Sequence, residues 1–112
     1  MRKIETQMNR AIVNKNDWSN SNTVVEYNSN TDCSAVYLHN NRIATVDHNT
    51  NALKLSSCGW QSVTTKSRLN AILQGLIVGA SVYQKQFNWF LNYNNQTVDF
   101  FDGMILSQGE VI

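Results

Sequence analysis

The chain has 112 residues, a net charge of +1, 42% apolar residues and only 15% charged ones. This size fits one domain, spanning residues 1–112, with a core of its own. The near-neutral balance excludes an acidic DNA mimic and argues against bulk nucleic-acid binding, which calls for a basic excess. No apolar run is long enough to span a membrane.

Lys3 to Asn14 is expected as a short amphipathic helix, with Ile4, Met8, Ala11 and Ile12 on one apolar stripe. Nothing in this start resembles a signal peptide. Asn14 to Asn22 has the composition of a loop, with Trp18 turned back onto the core. Four strand-like runs follow. Thr23 to Asn28 is β-branched, with Tyr27 near its end. Cys33 to His39 alternates, Val36 and Leu38 facing one way and Ala35 and Tyr37 the other. Arg42 to Asp47 sets Ile43 and Thr45 against Ala44 and Val46, and Ala52 to Ser56 turns Leu53 and Leu55 to one face. The Asn40-Asn41 pair between two of these runs suits a type I′ turn, because Asn accepts positive φ. His48 to Asn51 supplies another polar turn.

A second helix is expected from Thr64 or Thr65 to about Val78. Leu69, Ile72, Leu73 and Leu76 recur at i, i+3, i+4 and i+7, Gly75 weakens the helix, and Gly79 stops it. Ser81 to Phe87, the aromatic run Asn88 to Tyr93, Thr97 to Phe101 and Met104 to Leu106 close the chain as strands. Asn94-Asn95 and Asp102-Gly103 are their turns. Consecutive hairpins with one covering helix indicate an α+β fold: an antiparallel meander, a short N-terminal helix and one main amphipathic helix packed on the sheet.

The stretch Ser56 to Leu73 carries the most informative chemistry. A helix start has unpaired N–H groups and a partial positive charge, which Asp or Glu usually complements. Here Lys66, Ser67 and Arg68 follow Ser62, Thr64 and Thr65. A bound anion would suit this end, taking bonds from the free N–H groups and hydroxyls, and charge-assisted ones from Lys66 and Arg68. Gly59 lets backbone come close, and Trp60 offers a flat face for a base. Arg42, at the hairpin turn, is placed to reach the same end of the sheet. The competing reading makes Thr64 or Thr65 a plain cap, Trp60 a core residue and the cations solvated. The segment is not a P-loop, since Gly-x4-Gly-Lys-Ser/Thr is absent.

No catalytic constellation is visible. The acids are scattered, with no paired-carboxylate signature. Cys33, Cys58, His39 and His48 match no zinc spacing, so neither a metal nor a cofactor is expected. The two cysteines are too few for a disulfide framework, which suits reduced thiols in a cytoplasm. The aromatics Phe87, Trp89, Phe90 and Tyr93 are expected as core rather than as a stacking platform.

Tyr37-Leu38-His39-Asn40-Asn41-Arg42-Ile43-Ala44, then Gly59-Trp60 and Thr64-Thr65-Lys66-Ser67-Arg68-Leu69-Asn70, resemble small accessory proteins of tailed bacteriophages, cyanophage-type ones closest. In these, Gly is frequent where Asn40 stands. The resemblance runs from about Thr23 to about Gly103. It implies a phage origin and a non-structural accessory role in the host cytoplasm, and it transfers no functional residues. Three readings then stand. One is a non-catalytic protein that sequesters a nucleotide immune signal through Trp60, Thr64, Thr65, Lys66, Arg68 and Arg42. Another is an inhibitor that binds a host defence or CRISPR-type complex through an edge strand or the aromatic strand. The third is weak single-stranded nucleic-acid binding. A homo-oligomer is also expected, because short hairpins leave open edges and Val111-Ile112 is apolar.

Overall fold

A computed structural model describes residues 1–76, 79–107 and 110–111. The order of elements is α1 (Lys3–Val13), β1 (Trp18–Asn20), β2 (Thr23–Asn28), β3 (Cys33–Leu38), β4 (Asn41–Asp47), β5 (Ala52–Leu55), α2 (Val63–Leu76), β6 (Ser81–Lys85), β7 (Asn88–Tyr93), β8 (Gln96–Asp99), β9 (Met104–Ser107) and β10 (Glu110–Val111). The fold is α+β. One antiparallel sheet runs β1-β2-β3-β4-β5-β9-β10 and a second runs β6-β7-β8. The chain thus leaves the large sheet after β5, forms α2 and the small sheet, and returns as β9 beside β5, with Leu53 opposite Leu106 and Leu55 opposite Met104.

Alternation along the strands decides which side is buried. In β3 the inward set is Ser34, Val36 and Leu38. Val36 and Leu38 pack with Val25, Val46, Leu53, Leu55 and Leu106 against Met8 and Ile12 of α1 and Leu69, Ile72 and Leu73 of α2. Both helices lie on this face, so the other face of the large sheet carries no helix among the described residues.

Several expectations change in detail. Trp18 does pack against the core, but from a short strand, β1, whose partner is β2; the loop composition around it concealed that strand. The hairpin turn falls on His39 and Asn40, at φ 49° and 66°, and not on Asn40-Asn41. Asn41 already pairs with Leu38 in the ladder. Gln86 and Phe87, expected in a strand, form a turn with φ 52° and 67°. A register shift in the β3–β4 ladder sets Val36 opposite Ala44 but Tyr37 opposite Arg42, which makes Ile43 a bulge residue. Ile43 and Ala44 are therefore both buried, rather than facing opposite ways, and Arg42 is turned outward.

On α2, Leu69, Ile72 and Leu73 are fully buried, whereas Leu76 is left exposed near the end of the helix. Residues 77 and 78, where that helix was expected to finish, lie outside the described residues, as does Ile112. Gly79, the expected stop, has φ +85°, a left-handed conformation that glycine adopts without strain. Gly75 has a further role. A Cβ there would lie 2.7 Å from Nδ2 of Asn9, which donates to the Ala71 carbonyl at 2.9 Å, so glycine lets α1 cross closely at this point.

Candidate functional site

Helix α2 begins at Val63, one or two residues before the expected start. Its cap is Ser62, whose Oγ accepts the Thr65 N–H at 3.1 Å and lies 2.9 Å from the Thr65 hydroxyl. Thr65 is buried, and its hydroxyl donates to the Trp60 carbonyl at 3.0 Å. Neither Thr64 nor Thr65 is the cap. A cap at Ser62 puts Thr65 at the third helical position, Lys66 at the fourth and Arg68 in the second turn. The Ser62-x-x-Thr65 spacing, present in the sequence, was the readable signal.

The loop before the cap is held by a residue far along the chain. Asp102 Oδ1 accepts the Ser57 N–H at 2.7 Å and the Ser57 hydroxyl at 2.8 Å, and Oδ2 accepts the Gly59 N–H at 3.1 Å. The Cys58 thiol donates to the Arg42 carbonyl at 2.9 Å. Cys58 and Gly59 have φ of 56° and 73°, which turns the chain sharply enough for the Trp60 N–H to reach the Ser57 carbonyl at 2.9 Å. The backbone at Trp60 is thus fixed on both sides, yet its side chain is 66% exposed. Trp60 is not a core residue.

Trp60 borders a cavity of about 310 Å³. Leu38 and Ile43 supply apolar lining, and His39, Asn41, Ser57 and Thr65 bring polar groups to it. The volume lies at the small end of the range for organic ligands, and the mixture of an apolar base with a few polar groups is typical of such sites. Because Thr65 belongs to the first turn of α2, the cavity abuts that helix start. Thr64 and Lys66 are half-buried in the same helix turn but do not line the cavity, and their side chains make no hydrogen bond or ion pair among the described residues.

Arg68 and Arg42 stand elsewhere. The guanidinium expected to take a ligand anion is 4% exposed and takes an internal one. Arg68 Nη1 donates to Glu5 Oε2 at 2.8 Å, and Nε donates to the Thr23 hydroxyl at 3.1 Å. The Ser67 hydroxyl donates to the same Glu5 oxygen at 2.6 Å, and the Arg2 N–H to the other at 3.1 Å. Burial alone would push the Glu5 carboxyl up, but the bonds from Ser67, Arg2 and Arg68, together with the Arg68 charge, hold it below its ordinary value. The carboxylate that meets Arg68, in the second turn of α2, is therefore supplied by α1. Glu5 lies at i, i+3 and i+7 with Met8 and Ile12 and takes the buried position expected for Ile4, which is only half-buried; that spacing was the signal that could have found it. Arg42, turned outward by the bulge, stacks over the Tyr37 ring at 5.7 Å and donates to its hydroxyl at 3.3 Å. It faces away from the cavity that its neighbours Asn41 and Ile43 line.

The aromatic strand divides. Trp89 and Leu91 of β7 are buried, with Trp89 edge-on to Phe100, while Phe90 stacks on Tyr83 and Phe87 is 91% exposed in the β6–β7 turn. Among the described residues, no helix is long and apolar enough to cross a membrane.

A family model described as Kyanoviridae Gp96 protein matches residues 1–107 of the chain. No curated protein and no solved structure matches it.

Proposed function

Since the chain belongs to the Kyanoviridae Gp96 protein family, a family of phage proteins, we propose that it is a non-catalytic accessory protein, of host-takeover or anti-defence type, that binds and sequesters a phosphate-bearing small ligand such as a nucleotide signal. The observation that carries this reading is Trp60: a tryptophan two-thirds exposed, on a backbone fixed by Asp102 and Thr65, beside a cavity that opens at a helix start. A planar base stacks on the indole over Leu38 and Ile43, with His39 and Asn41 available to its polar edge. The phosphate lies toward the first turn of α2, where the helix dipole, Thr64 and Lys66 favour negative charge. Arg68 contributes by placing the helix and not by touching the ligand. The setting is the host cytoplasm.

The test is titration of the protein with a panel of mono-, di- and cyclic nucleotides, followed by calorimetry. Stacking on an aromatic ring is worth ~1–3 kcal/mol, so Trp60→Ala is expected to weaken the best ligand by roughly tenfold to a hundredfold. Lys66→Ala weakens it further, and neither change alters the melting temperature. Absence of binding by every nucleotide up to about 1 mM, a level that corresponds to only about −4 kcal/mol, sinks the proposal. So does binding that ignores Trp60. Arg68→Ala is unsuitable for this purpose, because it empties a buried ion pair.

A second reading is inhibition of a host defence or CRISPR-type complex by direct contact, and Phe87 favours it. A phenylalanine 91% exposed in a hairpin turn is a ready anchor for a partner pocket. Phe87→Asp would abolish co-purification with such a complex and leave nucleotide titrations unchanged.

A further inference from the structure

The face of the large sheet that the helices leave open has an ordered pattern. The ladder sets Glu26, Ala35, Thr45 and Lys54 side by side in one row across β2, β3, β4 and β5. A second row on the same face holds Val24, Tyr37 and Arg42, and a third holds Asn28, Cys33, Asp47 and Ala52. Glu26, Arg42 and Lys54 are exposed, whereas Val24, Ala35, Tyr37 and Thr45 are half-buried by their neighbours. The acid thus stands on β2 and the base on β5, with small or uncharged side chains between them, and the row runs on past Lys54 to the exposed Ile105 of β9. Such a surface is complementary to itself.

We propose that this open face docks a second copy of the chain, the two sheets stacked face to face about a two-fold axis parallel to the strands and midway between β3 and β4. Rotation about that axis exchanges β2 with β5 and β3 with β4 while keeping each row in place. Glu26 then faces Lys54 of the second copy, twice by symmetry, and Ala35 faces Thr45 of the second copy. In the adjoining row, Tyr37 meets Arg42 of the second copy, repeating across the interface the stacking that the pair already makes within one chain at 5.7 Å. The charges also decide the direction of the axis. A two-fold perpendicular to the strands would lay Glu26 on Glu26 and Lys54 on Lys54, an arrangement that like-charge repulsion disfavours. Sheets stack at about 10 Å, a gap that glutamate and lysine side chains span between them.

Four strands about 4.8 Å apart and three rows about 6.8 Å apart outline a patch of roughly 19 by 20 Å. That is small for a permanent dimer and suits a reversible one. The exposed charges set orientation, and the half-buried row supplies the contact. This inference is independent of the ligand reading, since the Trp60 cavity is lined from the opposite face of the sheet.

Sedimentation equilibrium of the full chain across the micromolar range tests it, with circular dichroism melts as a check on folding. The wild type is expected to dimerise. Glu26→Lys alone and Lys54→Glu alone should each weaken the dimer by tenfold or more, both positions being exposed and tolerant in the folded monomer. Mixing the two single variants should then restore a heterodimer, because every facing pair again has opposite charge. A wild type that stays at the monomer mass throughout overturns the proposal. So do dimers that ignore the single reversals, and so do folded single variants that fail to associate when mixed.

Discussion

At the scale of single residues, Glu5 and Arg68 hold the α1–α2 junction together, and they do so at the point that the sequence marks as a ligand site. Both side chains are nearly inaccessible, 3% and 4% exposed, and their polar atoms are met by Ser67, Thr23 and the Arg2 N–H. Removing one member strands a buried charge, so Glu5→Gln or Arg68→Ala is expected to cost about 3–5 kcal/mol in urea unfolding. The double replacement Glu5→Leu with Arg68→Met should cost much less, because it leaves no orphaned charge. The pH dependence follows from the same contacts. The folded carboxyl binds a proton less readily than the unfolded one, whose ordinary value is 4.5. The unfolded chain therefore takes up more protons as the solution is acidified past that point. The pair's contribution is complete above the unfolded value and is lost as pH falls through the folded one. Glu5→Gln should flatten that part of the stability curve between neutral and acid pH. This pair was not read from the chain: the stripe was drawn through Ile4 where Glu5 is the buried residue, and nothing local linked Glu5 to a partner 63 positions away.

At the scale of elements, α2 shows how a residue that weakens a helix locally can serve the packing. Glycine inside a helix costs about 1 kcal/mol relative to alanine, yet at position 75 a Cβ would collide with the Asn9 amide. That amide nitrogen bonds to Ala71, while its oxygen is buried without a partner among the described residues. Gly75→Ala should therefore bring little or no gain in the wild-type chain, because Asn9 must rotate out of its bond. In an Asn9→Ala background the same change should recover roughly 1 kcal/mol of helix propensity. A double-mutant cycle by denaturant unfolding measures the coupling, and simple additivity would refute it. Periodicity located Leu69, Ile72 and Leu73, because a 3.6-residue repeat is intrinsic to the helix. It overextended to Leu76, because a helix end can run past the sheet it covers.

At the scale of the whole molecule, the small sheet is attached to the rest through α2 and through the return of the chain to β9. The Asn70 side chain accepts the Val82 N–H at 2.6 Å and donates to the Val82 carbonyl at 3.0 Å, closing at that residue the edge of β6 that has no strand beside it among the described residues. Asn70→Ala leaves both backbone groups unmet, so hydrogen exchange should accelerate across β6 and β7 and remain slow in β3 and β4; uniform acceleration would mean that the two sheets open together. Alternation, helical periodicity and Asn or Gly turn pairs placed most strands, both helices and the α+β class, since each is a short-range preference of the backbone or of one amphipathic face. The β4 bulge, the clamp of Asp102 on Ser57 and Gly59, and the partner of Arg68 depend on contacts across the fold that no local pattern encodes. Arg68 and Lys66 are two positions apart and equally basic in sequence. Tertiary packing alone buries the first against Glu5 and leaves the second without an ion pair among the described residues, because the helix turns the two side chains to different faces and only Arg68 meets α1.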